Sequence, residues 1–458
     1  MQCTVRRSVR SLFRRPCSVR ARLLSDSSLD HENFNSKFLK EKKEQLIIEI
    51  DRSNLRSSSL PPATHEERKP SFDSLSGYLE MMIQVKGPLT VAEFMKQSLC
   101  HPTFGYYTSQ NNKAGGSSSI FGKSGDFTTA PEISQMFGEL VGIWCIAMWQ
   151  NLGSPSNVSI VELGPGRGTL MADLLRTART FPTFYNALSS VHLVDVSKEL
   201  QLVQKETLKQ EEMSKISWHQ DLSSVPNDDC CTLYVAQELF DALPVHQFEY
   251  TTKYGWCERL IDINSTGQFS FTLSKGATPA VRAYLGGPKK DSAVIKTSDA
   301  AAGDVLEVCP SGIALIQDLG SRISKSNGAA LIVDYGTSTP SSSDSLRGIL
   351  NHEFVSPLSK PPGSIDLSID VDFSTLKRFA NEIKGVKAVG PVNQGLFLKE
   401  MGIEHRLFKL LENAASEEDA EDLIKSYERL VGDDQMGNIF KVLAMTRKSI
   451  DAVAFAKD

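Results

Sequence analysis

Long apolar runs are missing from this chain: none approaches the roughly 20 residues that cross a bilayer, so no membrane span is expected. A bias of charge is missing too, with 50 Lys and Arg against 55 Asp and Glu and a formal charge of −5, which leaves no global electrostatic footprint for nucleic acid. The eight cysteines contain no C-x-x-C and have no histidine at zinc spacing, so we read them as reduced thiols in a reducing compartment. Asp366, Asp370 and Asp372 lack the glycine and distal glutamate of a calcium loop; no metal is expected there, and Asp372 reads as the start of a helix over 373–383. No internal repeat is evident. What is present is 458 residues with 40% apolar composition, enough for one large core or two ordinary ones.

The composition is uneven along the chain. The first 25 residues hold seven arginines, several serines and no acid, which reads as a transit peptide for the mitochondrion, with cleavage near 20–25. A plastid address and a basic arm for nucleic acid are the rivals. Residues 26–74, rich in charge, serine and proline, read as a disordered or loosely packed linker. Residues 75–155 form an N-terminal helical and lid segment. Within it, 89–99 has helical periodicity with Thr90 as cap, a Ser/Gly-rich loop covers 114–124, and a polar stretch interrupted by proline, 125–140, feeds a helix to about Trp149. As a lid over a cofactor, this stretch would face Thr128, Thr129 and Glu132 inward; Thr129 and Glu132 also have capping-box spacing.

The most informative segment is I-V-E-L-G-P-G-R-G-T-L, 160–170. A β-branched run with the length of a buried parallel strand ends in a turn holding Gly164, Gly166 and Gly168, where main-chain N–H groups can meet a ligand closely. The dinucleotide fingerprint wants a third glycine where Thr169 stands, and Glu162 precedes the turn by two residues. E-x-G-x-G-x-G is instead the pattern of class I methyltransferases, with the acid on the ammonium of S-adenosylmethionine. A second apolar run, 191–196, carries Asp195 where the chain leaves the sheet, suited to ribose hydroxyls or to capping a helix over 197–207. Gln220 and Asp221 stand where a third strand would end, within reach of an adenine amino group. A fourth run, 231–236, leads into Gln237, Glu238 and Asp241. The last two are three residues apart, a spacing that puts both carboxylates on one side of a turn or helix, ready to orient a guanidinium. Their bland alternative is a solvated Glu238 and an Asp241 that caps a turn.

The expected fold is therefore α/β: a class I S-adenosylmethionine-dependent methyltransferase, Rossmann-like, its mostly parallel sheet covered by helices on both faces. Residues 156–249 are its first part. Alternating runs within 250–303 suggest an inserted β-meander and helical subdomain, read as a substrate or partner subdomain whose grip on a partner the sequence leaves open. Residues 304–448 return to the core, starting with V-L-E-V at 305–308, then a helix over 311–324, a fifth strand over 329–334 and a last strand over 439–446. The long polar segment 338–373 would line a substrate channel, with His352 as a base, a substrate contact or a structural residue. Residues 449–458 are a tail.

Seven segments in order, H-P-T-F-G-Y-Y, G-D-F-T-T-A-P-E-I-S-Q-M-F-G-E, V-E-L-G-P-G-R-G-T-L, E-L-F-D-A-L-P-V-H-Q-F, L-I-V-D-Y-G, S-I-D-L-S-I-D-V-D-F and G-P-V-N-Q-G-L-F-L, together resemble the MidA-like family over about 75–448. The resemblance implies S-adenosylmethionine as methyl donor. As acceptor it implies an arginine of a matrix-arm core subunit of mitochondrial complex I, which becomes symmetric ω-dimethylarginine and is needed for assembly of the complex. Carried over by position, Gly164, Gly166 and Gly168 would approach the methionine moiety, Asp195 the ribose and Asp221 the adenine, while Glu238 and Asp241 face the acceptor. Gln237 departs from the family's usual Asn or His, which puts any contact there in doubt. A donor-binding chaperone without catalysis and a methyltransferase acting on RNA or a small molecule remain alternatives.

Overall fold

The computed structural model describes residues 73–109, 128–227, 230–286, 300–339 and 344–455. The transit peptide, most of the linker, the loop over 114–124 and residues 287–299 of the insertion lie outside the described residues.

Strand β2 (Val158–Leu163) is buried at every position, as is β5 (Cys231–Gln237), which is why both read as continuous runs rather than alternating patterns. They lie side by side at the centre of a sheet that continues through β3 (Leu188–Val194) and β4 (Ile216–His219) on one side. On the other side follow β10 (Ala329–Thr337), β16 (Phe440–Arg447) and β15 (Val386–Asn393). The first five are mutually parallel, whereas β16 runs antiparallel to both of its neighbours. From β2 the chain moves outward to β3 and β4, then returns to β5 on the opposite flank. The carboxyl ends of β2 and β5 therefore diverge at a topological switch point, where such sheets bind ligands. Helices Pro310–Lys325 and Phe373–Asn381 cover one face, packing Ile316, Leu319, Phe373 and Leu376 against Val161, Tyr234, Ile332 and Leu443.

The expected meander is a real antiparallel unit: β6 (His246–Thr251), β7 (Gly255–Ile263) and β8 (Phe269–Leu273). The sheet also takes in β1 (Leu89–Thr90), just before the helix that Thr90 caps, and β9 (Val305–Val308). The V-L-E-V segment thus does not begin the return to the central sheet. It pairs with β6, because its apolar side chains Leu306 and Val308 close a separate core with Phe248, Val281 and Leu285.

The segment over 338–373 is also more ordered than its polar composition implies. It holds β11 (Arg347–Leu350), β12 (Glu353–Val355) and β13 (Asp366–Ser368), a three-stranded sheet, and β14 (Val371–Asp372), which extends the central sheet beside β10. The three acids there have separate partners: Asp366 accepts from Tyr107, Asp370 pairs with Arg347, and Asp372 caps the helix Phe373–Asn381. Strand β15 has no counterpart in the sequence reading, since Gly390 and Pro391 interrupt it. An edge strand tolerates proline, and the ladder skips the pair through an irregularity between Val389 and Val392. Among the described residues no helix is long and apolar enough to cross a membrane.

Gly336 lets β14 approach β10. Its φ is +156°, and a Cβ there would lie 2.1 Å from the Val371 carbonyl oxygen. Gly336→Ala should cost about 3 kcal/mol, read as a lowered urea midpoint at unchanged slope.

Candidate functional site

A cavity of about 640 Å³ opens at the switch point, at the carboxyl ends of β2, β3, β4, β5 and β10. Thr128, Thr129, Glu132, Glu162, Gly164, Gly166, Asp195, Gln220, Asp221, Gln237, Glu238 and Asp241 all line it. Gly168 stands apart: with φ +83° it caps the helix Thr169–Arg179, and a Cβ there would meet Gln204 at 3.5 Å. A neighbour at that distance is ordinary contact, so it is the left-handed backbone at the helix start that calls for glycine, and Thr169 takes the place on the cavity wall.

On the donor side the turn after β2 passes through positive φ at Gly164 (68°) and Gly166 (51°), which exposes main chain to the cavity. Behind it sits Glu162, 2% exposed, whose Oε2 has no hydrogen-bond partner. Burial, reinforced by the nearby Asp195 carboxylate, pushes Glu162 up to about 8. A buried carboxylate oxygen left unpaired at a ligand cavity fits a cationic group, such as the ammonium of S-adenosylmethionine. Asp195 is pushed up to about 6 by burial, although its Oδ1 accepts from Ser197 N–H at 2.8 Å and its Oδ2 from Gln204 Nε2 at 2.8 Å. Helix capping falls to Ser197 instead, which accepts from Leu200 N–H. Asp221 accepts from Ser223 and Ser224, and the Ser223 hydroxyl above all holds its carboxyl below the ordinary range.

Gln204 is a hub that residue spacing did not reveal. Fully buried, it donates to Asp195 and to the Gly166 carbonyl at 2.9 Å, and accepts from Trp218 Nε1 at 3.0 Å. One amide thus ties the glycine turn, the acid after β3 and the third strand together. In sequence it is one polar residue on a polar helix, with nothing to mark it.

The lid segment closes the opposite wall. Thr129 occupies the cap position of the helix Ala130–Ile133 but makes no side-chain cap, so the capping box does not form. The Ala130 N–H donates instead to Glu238 Oε1 at 3.1 Å. Glu132 faces Arg167 at 3.7 Å, and its Oε2 is buried without a partner.

In the turn after β5, Glu238 has a left-handed backbone (φ +50°), rare for a residue with a side chain. It is not solvated. Burial pushes it up to about 8, against the Ala130 N–H and the Gln237 amide, both of which donate to it. Asp241 Oδ2 accepts from Tyr335 OH at 2.5 Å and from Ser368 Oγ at 2.9 Å. Burial also raises Asp241, opposed by those hydroxyls and by the Arg347 guanidinium.

Both acids are set by Asp334, which the sequence reading passed over as the end of a strand. Fully buried, its Oδ2 accepts from the backbone N–H groups of Leu239 (3.1 Å), Phe240 (2.9 Å) and Asp241 (3.2 Å), and its Oδ1 from Tyr335 N–H (2.9 Å). The alternating motif D-Y-G was the available signal, but no spacing rule links it to a turn 93 residues earlier.

Two outcomes follow. In donor-free protein, Glu162 has a folded-state pKa above its unfolded one, so stability present below pH 4.5 is lost as pH rises through about 8. Glu162→Gln should raise Tm at pH 8 without ligand, yet weaken S-adenosylhomocysteine about tenfold or more by calorimetry. Asp334→Asn keeps an oxygen for the amides and should preserve donor affinity within about threefold while lowering methyl transfer about 100-fold, a split that general unfolding would not produce.

Comparison with known proteins agrees with this geometry. A family described as S-adenosyl-L-methionine-dependent methyltransferases matches residues 140–392. The mitochondrial protein arginine methyltransferase NDUFAF7 of Xenopus tropicalis is 38% identical over 399 residues, covering 83% of this chain and 87% of that protein. The human protein of that name is 37% identical over 390 residues, covering 80% and 82%. A Burkholderia thailandensis protein crystallised with S-adenosyl-homocysteine superposes with a TM-score of 0.70 at 25% identity, covering 84% of this chain and 94% of that one. The chain belongs to the S-adenosyl-L-methionine-dependent methyltransferase family.

Proposed function

We propose that this methyltransferase acts in the mitochondrial matrix on an arginine of a core subunit of respiratory complex I, yielding symmetric ω-dimethylarginine needed for assembly. The observation that carries the arginine reading is charge. Seven carboxylates line the cavity (Glu132, Glu162, Asp195, Asp221, Glu238, Asp241 and Asp366) against two guanidinium groups, Arg347 and Arg429. Arg347 is already engaged, by Asp370 at 2.7 Å and the Ser345 carbonyl at 3.0 Å. Such a cavity suits two further cations, a sulfonium donor and a guanidinium acceptor, and disfavours phosphate-rich RNA. Relatives named as mitochondrial protein arginine methyltransferases support the same reading.

The sulfonium donor supplies an activated methyl group and leaves as a neutral thioether. The chain has to hold the acceptor and manage one proton. A guanidinium has a delocalised lone pair and a pKa above about 12, so it attacks poorly until charge is drawn to one side. Glu238 and Asp241, meeting it from the turn after β5, concentrate positive charge on the nitrogens they bind and leave the remaining one facing the donor side. As the new C–N bond forms, one N–H proton must leave. Glu238, held near 8 by burial, is the group placed to take it.

Because a protonated Glu238 neither binds the cation nor accepts the proton, kcat/KM for the acceptor should rise with pH to a plateau above about 8. Glu238→Gln should flatten that limb and lower kcat about 100-fold or more. The acceptor itself is found by incubating protein, labelled donor and mitochondrial extract, then locating the label by mass spectrometry. Label on arginine of a matrix-arm subunit is the expected result; label on RNA, or none, overturns the reading.

A further inference from the structure

Strands β11 and β12 form a hairpin at the rim of the cavity. Its two turn residues, Asn351 (φ 51°) and His352 (φ 64°), are both left-handed, as a tight type I′ turn requires. Leu350 then pairs with Glu353, Ile349 with Phe354 and Gly348 with Val355.

That register decides where backbone groups point. The pair flanking a two-residue turn exchanges hydrogen bonds, so Glu353 and Val355 turn their N–H and C=O groups toward β11, and Phe354 turns its own away from the hairpin. Ile349, opposite Phe354, likewise points outward, and there β13 meets it at Asp366. On the other side, among the described residues, no strand pairs with β12. An open edge presents one donor and one acceptor at Phe354.

Side chains on this edge face the cavity. Ile349 and Phe354 are cross-strand neighbours on one face, and both line the cavity. Phe354 is nonetheless 74% exposed, unusual for a phenylalanine beside a ligand site. Its ring covers the Arg347 guanidinium at 4.9 Å, while Tyr335 covers it from another side at 5.0 Å, so the aromatic surface at this rim accommodates guanidinium groups.

We propose that the acceptor protein docks as an extended segment pairing antiparallel with the free edge of β12, its arginine directly opposite Phe354. A residue at that position shares the face of Phe354 and Ile349, so its side chain enters the cavity, while its two neighbours point away. Main-chain bonds give affinity, and the acidic cavity selects arginine for the single inward position. The partner is therefore a chain with an unpaired strand or extended loop around the target arginine. This inference rests on the arginine reading above, and its test is separable from it.

The probe is a short peptide spanning the arginine located by mass spectrometry, assayed with the unaltered full-length enzyme. N-methylation of the arginine's own amide removes the group that pairs with Phe354 and should raise KM about tenfold, whereas N-methylation of either neighbour should leave KM within about twofold. In the enzyme, Phe354→Pro removes the outward N–H and should raise KM about tenfold beyond Phe354→Ala, which keeps it. Equal effects at all three peptide amides, with Phe354→Pro matching Phe354→Ala, overturn strand pairing while leaving arginine methylation standing. Absence of any methylated arginine overturns the parent reading instead.

Discussion

The carboxylate of Asp334 holds the turn that carries Glu238 and Asp241 in place. It sits on the fifth parallel strand, fully buried, and gathers three consecutive backbone N–H groups from the turn after the fourth. Those amides belong to Leu239, Phe240 and Asp241, directly after the left-handed Glu238. A turn that enters through such a backbone needs something to over-determine it, and three bonds to one oxygen do so. The same side chain accepts from Tyr335 N–H, and the Tyr335 hydroxyl orients Asp241. Burial and the neighbouring Asp241 and Glu238 carboxylates push Asp334 up, and the backbone N–H groups work against them.

Concentrating acids in this way is unfavourable in the empty protein. Glu162 and Glu238 are each pushed up to about 8, and Asp195 to about 6, mainly by burial. A buried acid without a cationic partner takes up a proton instead of keeping its charge. Burial therefore favours the neutral form of each acid, and a cation arriving beside it, such as the sulfonium donor, would favour the charged one.

The two halves of the cavity have different origins. Strands β2, β3 and β4 build the half with the glycine turn, with Gln204 as the knot between them. The other half draws on Tyr335 and on the segment from Arg347 to Ser368, which leaves the central sheet to form its own. The lid touches both, since Ala130 N–H bonds Glu238 while Glu132 faces Arg167 of the glycine turn.

Local sequence was enough for the parallel strands, the glycine turn with Glu162 and the acids at strand ends, because buried strands and cofactor turns have short-range signatures in apolar runs and glycine spacing. It was enough too for the helix starts at Thr90 and Asp372, whose side chains cap within three residues. It missed β15, where proline hides an edge strand, and misplaced β9, whose four residues suit either sheet. Tertiary structure alone decided what Asp334 and Gln204 do, that Gly168 stands off the cavity wall, and that the Ala130 N–H bonds Glu238 while no Thr129–Glu132 capping box forms. The bonds that join Asp334 to the turn after β5, Gln204 to its partners and Ala130 to Glu238 span 9 to 108 positions, and burial makes those partners obligatory without leaving any local pattern to read.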